Sequence, residues 1–136
     1  MSSVNSALNV VMLVGLCVAA FFFFTAPSVP VEPPNDAWFN AEVISRHEPV
    51  LVKFGADWCG PCRMMEPELD KLASETGGRL QVVRVDVGKK PALAQHYGVS
   101  SIPRLLLFYN GRVVADRVGY ANEKQLEDWI ASNVSD

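Results

Sequence analysis

Two cysteines separated by two residues are the strongest chemical signal in the sequence, in the run Trp58-Cys59-Gly60-Pro61-Cys62. Two cysteines at this spacing can close a small disulfide ring. An apolar strand pattern before the pair and a helical pattern after it place Cys59 at a helix N-terminus, where free backbone N–H groups and the helix dipole stabilise a thiolate. We therefore expect Cys59 to be the nucleophile that attacks a partner disulfide. Cys62, one helical turn along and less exposed, is then the resolving cysteine that releases the reduced partner.

Two other uses of the cysteine pair stay open. A Cys-x-x-Cys motif can be half of a zinc site, although the remaining candidate ligands, Cys17, His47 and His96, have no paired spacing. The disulfide can also be purely structural. Gly60 permits close approach of a polypeptide and Pro61 restrains the loop, which, with the exposed position at the junction, favours an exchanging disulfide over a structural one. We expect no metal and no cofactor beyond the disulfide itself.

The elements that must position the cysteines follow from hydrophobic periodicity and from cap and turn residues. We expect a first helix from Asn35 or Asp36 to near His47-Glu48-Pro49, followed by a strand Val50–Phe54. The next helix runs through Met65, Leu69 and Leu72, is kinked by Pro67 and stops at Gly77-Gly78; a strand Leu80–Val87 and a helix from Pro91 to about Tyr97 follow it. Strands Leu105–Tyr109 and Val113–Val118 are joined at Asn110-Gly111, and a last helix begins with an Asn122/Gln125 capping box. This order predicts an α/β fold with a mixed sheet, helices on both faces, and the two central strands joined by a crossover.

Composition narrows the class of protein. A length of 136 residues allows one domain and a short appendage. The 12 Lys and Arg against 15 Asp and Glu give a formal net charge of −3, without the basic excess of a phosphate-binding surface, so we expect no nucleic-acid partner. Three cysteines are too few for the disulfide framework of a small secreted domain.

Further motifs accompany the cysteine pair. They are Val50-Leu51-Val52-Lys53-Phe54, Ala56-Asp57 before the pair and Arg63 after it, Tyr97-Gly98-Val99, Ile102-Pro103, Leu106 with Phe108, Asn110-Gly111, and Val118-Gly119. With these motifs, the segment from Val50 to Val134 resembles thioredoxin along nearly its whole length. The resemblance implies the thioredoxin fold, with a central mixed β-sheet flanked by helices, and the activity of a thiol–disulfide oxidoreductase.

The resemblance also implies a substrate-binding surface around the cysteines. It makes Pro103 a cis-proline that faces the pair, with Ile102 offering backbone hydrogen bonds to a bound substrate strand. The residues it places on a flat apolar docking surface are Trp58, Gly60, Pro61, Ile102, Pro103 and Gly119. The implied partners are protein disulfide substrates and an electron donor, either a reductase or a transmembrane thiol carrier.

The residues expected to tune the redox chemistry include two departures from the family pattern. Where thioredoxins usually carry a buried aspartate, this sequence has Lys53, and where a lysine commonly pairs with that aspartate it has Arg84. Cys62 must then lose its proton to water, to Asp57 or Asp86, or to a Lys53 that burial keeps as a neutral amine. A cation near the pair favours thiolate, so we expect a more oxidising domain than ordinary thioredoxin, unless Lys53 extends to the surface and has no effect. Gly60 and Pro61 complete the tuning set.

Smaller departures concern the walls of the site and the edge of the sheet. Where thioredoxins often have an aromatic residue, this sequence has Gly55, which leaves one side of the site more open. Arg104 follows the cis-proline, where a small polar residue is common, and adds a positive charge to another side. We interpret both as signs of a changed set of partners. The stretch before the first helix is too rich in proline to supply a normal first strand.

Three functions compete on this sequence. A protein-disulfide reductase leads, because the Gly-Pro dipeptide between the cysteines resembles reducing members of the family. An oxidase or isomerase is the alternative that Lys53 favours. A non-catalytic thioredoxin-fold binding module in a membrane complex is the third.

The N-terminal segment predicts a membrane anchor. Residues 7–26 are apolar apart from Asn9 and Thr25 and number about the 20 residues that a spanning helix requires. A cleaved signal peptide and a buried core helix are the alternatives, but no Lys or Arg precedes the run, which also exceeds the usual hydrophobic region of a signal. We expect one N-terminal hydrophobic helix as a single-pass transmembrane anchor or uncleaved signal over residues 1–26, a proline-rich linker over 27–35, and a thioredoxin-like domain over 36–136.

The sequence gives only a weak signal for the orientation of the predicted anchor in the membrane. No Lys or Arg occurs on either flank of the apolar run before Arg46. Because nothing basic would hold the following domain in the cytoplasm, we expect it on the extracytoplasmic, periplasmic side, with a cytoplasmic orientation still open.

Overall fold

The computed structural model describes residues 32–134, which contain four strands and four helices. In chain order these are helix α1, made of the α-helical turn Ala37–Phe39 and the π-helical turn Asn40–Ile44, strand β1 (Val50–Gly55), helix α2 (Gly60–Glu75), strand β2 (Gln81–Asp86), helix α3 (Pro91–His96), strand β3 (Arg104–Tyr109), strand β4 (Arg112–Val118) and helix α4 (Glu123–Asn133). The predicted anchor over residues 1–26, with Cys17, and most of the linker over 27–35 lie outside the described residues. Within residues 32–134, no helix is long and apolar enough to cross a membrane.

The sheet has the order β2-β1-β3-β4. Strands β1 and β2 are parallel and are joined by α2, whereas β1 pairs with β3, and β3 with β4, in antiparallel register. The expected mixed sheet is confirmed. The expectation that a crossover joins the two central strands is wrong for the described sheet, where the central strands are the antiparallel β1 and β3. The crossover through α2 reaches β2, which is an edge strand within residues 32–134.

Side-chain alternation along β1 divides the core between the two faces of the sheet. Val50, Val52 and Phe54 pack with α1 and α3 on one face. Leu51 packs on the other face, against residues of α2 and α4. Successive strand residues point to opposite faces, so Lys53 shares the α2 face with Leu51. The fold therefore directs a charged strand residue towards the helix that begins at the cysteines.

The first helix differs most from its prediction. Asp36 caps it as expected, its side chain accepting from the Phe39 N–H at 2.9 Å. The helix widens to a π turn, in which the Ser45 N–H bonds to the Asn40 carbonyl at 2.8 Å. It ends at Ile44, short of the predicted limit near His47, and the next N–H, that of Arg46, bonds to the Val43 carbonyl at 3.3 Å. The capping box of α4 is present as predicted.

The turn between β3 and β4 requires glycine at one position. Asn110 and Gly111 have φ values of 50° and 71°, as the predicted Asn-Gly hairpin turn demands. A Cβ on Gly111 would collide with the backbone carbonyl of Ile44 at the end of α1. The hairpin thus packs its turn directly against the first helix.

We predict that Gly111→Ala destabilises the fold more than Gly77→Ala. Both positions have positive φ, which costs a residue with a Cβ about 1–2 kcal/mol. Only Gly111 adds a backbone collision, since nothing lies within 4 Å of a Cβ on Gly77, and overpacking of this kind costs about 1–3 kcal/mol more. Urea unfolding of the full chain measures both losses, and equal losses would contradict the packing of the turn against α1.

Candidate functional site

The cysteine pair lies where β1 ends and α2 begins. Cys59 is the N-cap of α2, and its sulfur accepts a hydrogen bond from the Cys62 backbone N–H at 3.3 Å. The two residues form a disulfide, with their Cα atoms 5.2 Å apart. Cys59 is 7% exposed and Cys62 1%, so the first cysteine is the more accessible one, as the sequence predicts. This geometry suits attack at Cys59 and a shielded second thiol.

The side of the pair formed by the loop before β3 is apolar. The Ile102–Pro103 peptide bond is cis, as the resemblance implies. Ile102 packs against the small cluster that contains both cysteines, and Pro103 is buried. The Pro103 carbonyl accepts from the Gly119 N–H at 2.8 Å, which ties the loop to the end of β4.

The predicted docking residues on the cysteine loop are open to solvent. Trp58 is 78% exposed, and Pro61 is exposed in the first turn of α2. A Cβ on Gly60 would meet nothing within 4 Å. A polypeptide can therefore approach the Cys59 side of the disulfide without displacing a protein side chain.

Arg104 does not present a free charge to the site. Its guanidinium pairs with Asp116 on β4, and its Nη1 donates to the Gly98 carbonyl at 2.8 Å. The expected charged wall is therefore absent there, because Asp116 balances the arginine. Instead, Arg104 connects the start of β3, strand β4 and the beginning of the loop that carries Ile102 and Pro103.

A chain of ion pairs lies beside Cys62. Lys53 on β1 and Arg84 opposite it on β2 both bind the carboxylate of Glu66 on α2, Arg84 through Nε at 2.6 Å. Arg84 also donates to Asp70 at 2.7 Å. Only 9% of the Lys53 side chain is exposed, so the interpretation that Lys53 extends to the surface is wrong. The carboxylate of Glu66 compensates for its buried charge.

Glu66 remains ionised because of its two cationic partners. Burial alone would raise the pKa of Glu66, but the hydrogen bonds from Lys53 and Arg84 outweigh burial and hold the pKa below its usual value. Glu66 is thus a fixed negative charge near neutral pH, poorly suited to accept a proton.

Lys53 and Cys62 both lie beside Gly55, which has no side chain to separate them. A Cβ on Gly55 would lie 3.1 Å from Lys53 Cε and 3.2 Å from Cys62 Sγ. A cavity of about 240 Å³ extends from this point. It is lined by Lys53, Gly55, Ala56, Asp57, Cys62, Arg63, Glu66, Arg84, Val85 and Asp86. The predicted tuning residues Lys53, Asp57 and Arg84 therefore share one cavity with Cys62, while Gly60 and Pro61 lie in the turn above it.

Sequence reasoning missed Glu66. The signal was available, because Glu66 follows Cys62 by four residues and therefore lies on the same face of α2. The missing step was to recognise that a charge buried on β1 requires a partner, and that α2 covers that face.

Comparison with known proteins agrees with this geometry. The sequence profile of the thioredoxin family matches residues 30–132. The chain belongs to the thioredoxin family. The thioredoxin of Haemophilus influenzae is 43% identical over 100 residues, covering 74% of this chain and 94% of that protein. The thioredoxin of Rickettsia felis is 36% identical over 100 residues, covering 74% and 95%, and that of Porphyra purpurea is 39% identical over 105 residues, covering 77% and 98%.

Family membership and the cysteine pair together give the class of enzyme. Thioredoxins are thiol–disulfide oxidoreductases, and this chain carries the Cys59–Cys62 disulfide at the N-terminus of α2. It is therefore a thiol–disulfide oxidoreductase with the thioredoxin fold.

We predict that Glu66→Gln removes an acid-sensitive part of the fold's stability. The folded-state pKa of Glu66 lies below its ordinary value of 4.5, so the unfolded chain binds the proton first as the pH falls. The stabilisation is complete above about pH 4.5 and is lost as the pH falls through the folded-state pKa. At pH 7 the variant should be less stable by about 1–2 kcal/mol, less than for a fully buried pair because a third of Glu66 is exposed.

Urea unfolding at several pH values measures this difference. Glu32→Gln, at an exposed glutamate before α1 that forms no ion pair with the described residues, is the matched control and should follow the parent protein at every pH. A gap between Glu66→Gln and the parent that stays constant down to pH 3 would refute the assignment.

Proposed function

We propose that this protein reduces disulfide bonds in protein substrates. The observation that carries the proposal is the position of Cys59 at the N-terminus of α2, where its sulfur accepts a hydrogen bond from the Cys62 N–H. Beside Cys59, Trp58 is exposed to solvent and nothing lies near the Gly60 Cα, so a polypeptide can approach. The N–H groups and dipole of the helix stabilise a Cys59 thiolate. The exposed tryptophan offers apolar area to a polypeptide.

The reaction runs in two exchange steps. In the reduced protein, the Cys59 thiolate attacks one sulfur of the substrate disulfide, and the other substrate sulfur leaves as a thiolate that takes a proton from solvent. Cys62 then loses its proton and attacks Cys59 Sγ, which breaks the mixed disulfide and releases the second substrate thiol. Two electrons pass from the dithiol to the substrate, and the Cys59–Cys62 disulfide remains.

The loop around the cis-proline is the proposed site for the substrate backbone. Ile102 packs against the cysteines, and the Gly119 N–H holds the Pro103 carbonyl. Arg104 anchors the same loop to β4 through Asp116. A loop fixed on both sides of the cis bond can present its backbone to an extended substrate with little loss of conformational entropy.

We predict that Cys62→Ser traps substrate and Cys59→Ser does not. With insulin as the probe, the Cys62→Ser protein should accumulate a mixed disulfide through Cys59 that is stable until dithiothreitol is added. Non-reducing electrophoresis followed by mass spectrometry of the linked peptides measures this. Cys59→Ser is the matched control and should give no adduct at Cys62, which is only 1% exposed. Trapping at Cys62, or at neither cysteine, would refute the assigned roles.

The direction of electron flow separates the reductase from the second candidate, an oxidase or isomerase. The buried cation at Lys53 favours that candidate, because it stabilises thiolate and therefore the reduced form. We expect equilibration with glutathione buffers to give a reduction potential above the ~−270 mV typical of thioredoxin, because of Lys53, but still nearer to it than to the ~−120 mV of strong oxidants. A value near the latter would reverse the proposed direction. Full function of a Cys59→Ser, Cys62→Ser protein in cells would instead support the binding module.

We further propose that the protein works at a membrane, anchored by residues 7–26. The support is the length and apolar character of this run in the sequence. With few basic residues to retain the domain in the cytoplasm, the extracytoplasmic side is the proposed location. There the electrons would come from a transmembrane thiol carrier, since a nucleotide-dependent reductase acts where its cofactor is made.

We predict that the full chain sediments with membranes and resists extraction by carbonate at high pH. A chain lacking residues 1–26 should remain in the supernatant, because about 20 apolar residues provide the insertion energy. Immunoblotting of the fractions measures the distribution of both chains. Protease added to intact cells whose outer envelope has been removed shows on which side of the membrane the domain lies. Release of the full chain by carbonate would refute the anchor.

A further inference from the structure

Lys53 is the one buried charged residue among those described, and it is a neighbour of the resolving cysteine. Its Cε and Cys62 Sγ both lie within 3.2 Å of the place where a Cβ on Gly55 would stand. The absence of a side chain at Gly55 therefore leaves room for the lysine side chain beside a cysteine that is itself 1% exposed. Charges act more strongly in such a water-poor setting than at the surface.

The position of the ammonium group is fixed by Glu66. Glu66 binds Lys53 with one carboxylate oxygen and Arg84 with the other. Arg84 is fixed in turn by Asp70. If Glu66 left its two partners, the buried charge of Lys53 would lose its counter-charge. The lysine therefore has little freedom to move away from Cys62.

Other charged groups line the same cavity. They are Asp57, Arg63, Arg84 and Asp86, besides Glu66 and Lys53. Asp57, Arg63 and Arg84 are exposed and Asp86 is half-buried, so solvent screens their charges more than that of Lys53. Lys53 is therefore the most buried of the charges that line the cavity beside Cys62, and Glu66, its ion-pair partner, is half-buried.

We propose that the Lys53 ammonium stabilises the Cys62 thiolate in the resolving step, and that Glu66 is the positioning residue that holds it there. This inference rests on the exchange reaction proposed above. The Cys62 thiol gives its proton to water in the adjoining cavity, the thiolate attacks Cys59 Sγ, and the substrate thiolate leaves and is protonated by solvent. Water takes the proton of Cys62, so no carboxylate needs to act as the base in this step.

The test separates the two steps in time. Reduced full-length protein in a Cys17→Ala background is mixed with 5,5′-dithiobis(2-nitrobenzoate). Attack by Cys59 releases one coloured thiolate and leaves the other on Cys59, and attack by Cys62 then releases the second. Stopped-flow absorbance across pH 5–10 gives the rate of each step, and the pH profile of the second step reports the pKa of Cys62.

In Lys53→Met we expect the profile of the second step to shift upward by about one pH unit, since an opposite charge at this range lowers a pKa by about 1–3 units. At neutral pH this leaves about tenfold less thiolate. A more basic thiolate is also a better nucleophile, so the resolving rate should fall by only about three- to fourfold. The first step should change much less, because Cys59 owes its thiolate to the helix N-terminus.

Lys71→Met is the matched control, with the same substitution and the same change in net charge at an exposed position of α2. It should leave both steps unchanged. If Lys53→Met does not fold, Lys53→Gln carries the same test, because its amide can still donate to Glu66. A second step with the parent's pH profile in a folded Lys53 variant would overturn the inference. Absence of the first step in the parent protein would instead overturn the exchange reaction itself.

Discussion

The hydrogen bond from the Cys62 N–H to the Cys59 sulfur is the interaction on which the rest of the site depends. It exists because β1 ends at Gly55 and α2 begins at Gly60, so the first cysteine falls at the one place where a helix has N–H groups to offer. The rest of the fold holds this junction still. Strand β1 is central in the sheet and buried along its whole length, and α2 packs across it.

Much of this architecture could be predicted from the sequence, because it depends on local signals. Proline, glycine and capping residues marked most element ends, and the Cys-x-x-Cys spacing marked the exchanging pair. The end of α1 was missed, since a π turn leaves no trace in hydrophobic periodicity. The position of the crossover was also missed, because sequence order does not determine which strand lies at the edge of a sheet.

The surroundings of Cys62 show where sequence reasoning stops. Lys53 was recognised as unusual, yet its effect depends on whether its side chain turns inward or outward. That direction is decided by Glu66 on another element and by the empty volume at Gly55. Arg104 was predicted to place a free charge beside the site, but Asp116 on the neighbouring strand pairs with it. Tertiary partners, which have no fixed spacing, decide such cases.

The missing side chain at Gly55 has a consequence for how this protein can evolve. A side chain there would occupy space already taken by Lys53 and Cys62. Positions 53, 55 and 66 are therefore structurally coupled: a large residue at 55 would displace the lysine, and without the lysine the glutamate would lose its buried partner. Each of the three positions thus restricts the substitutions that the other two can accept.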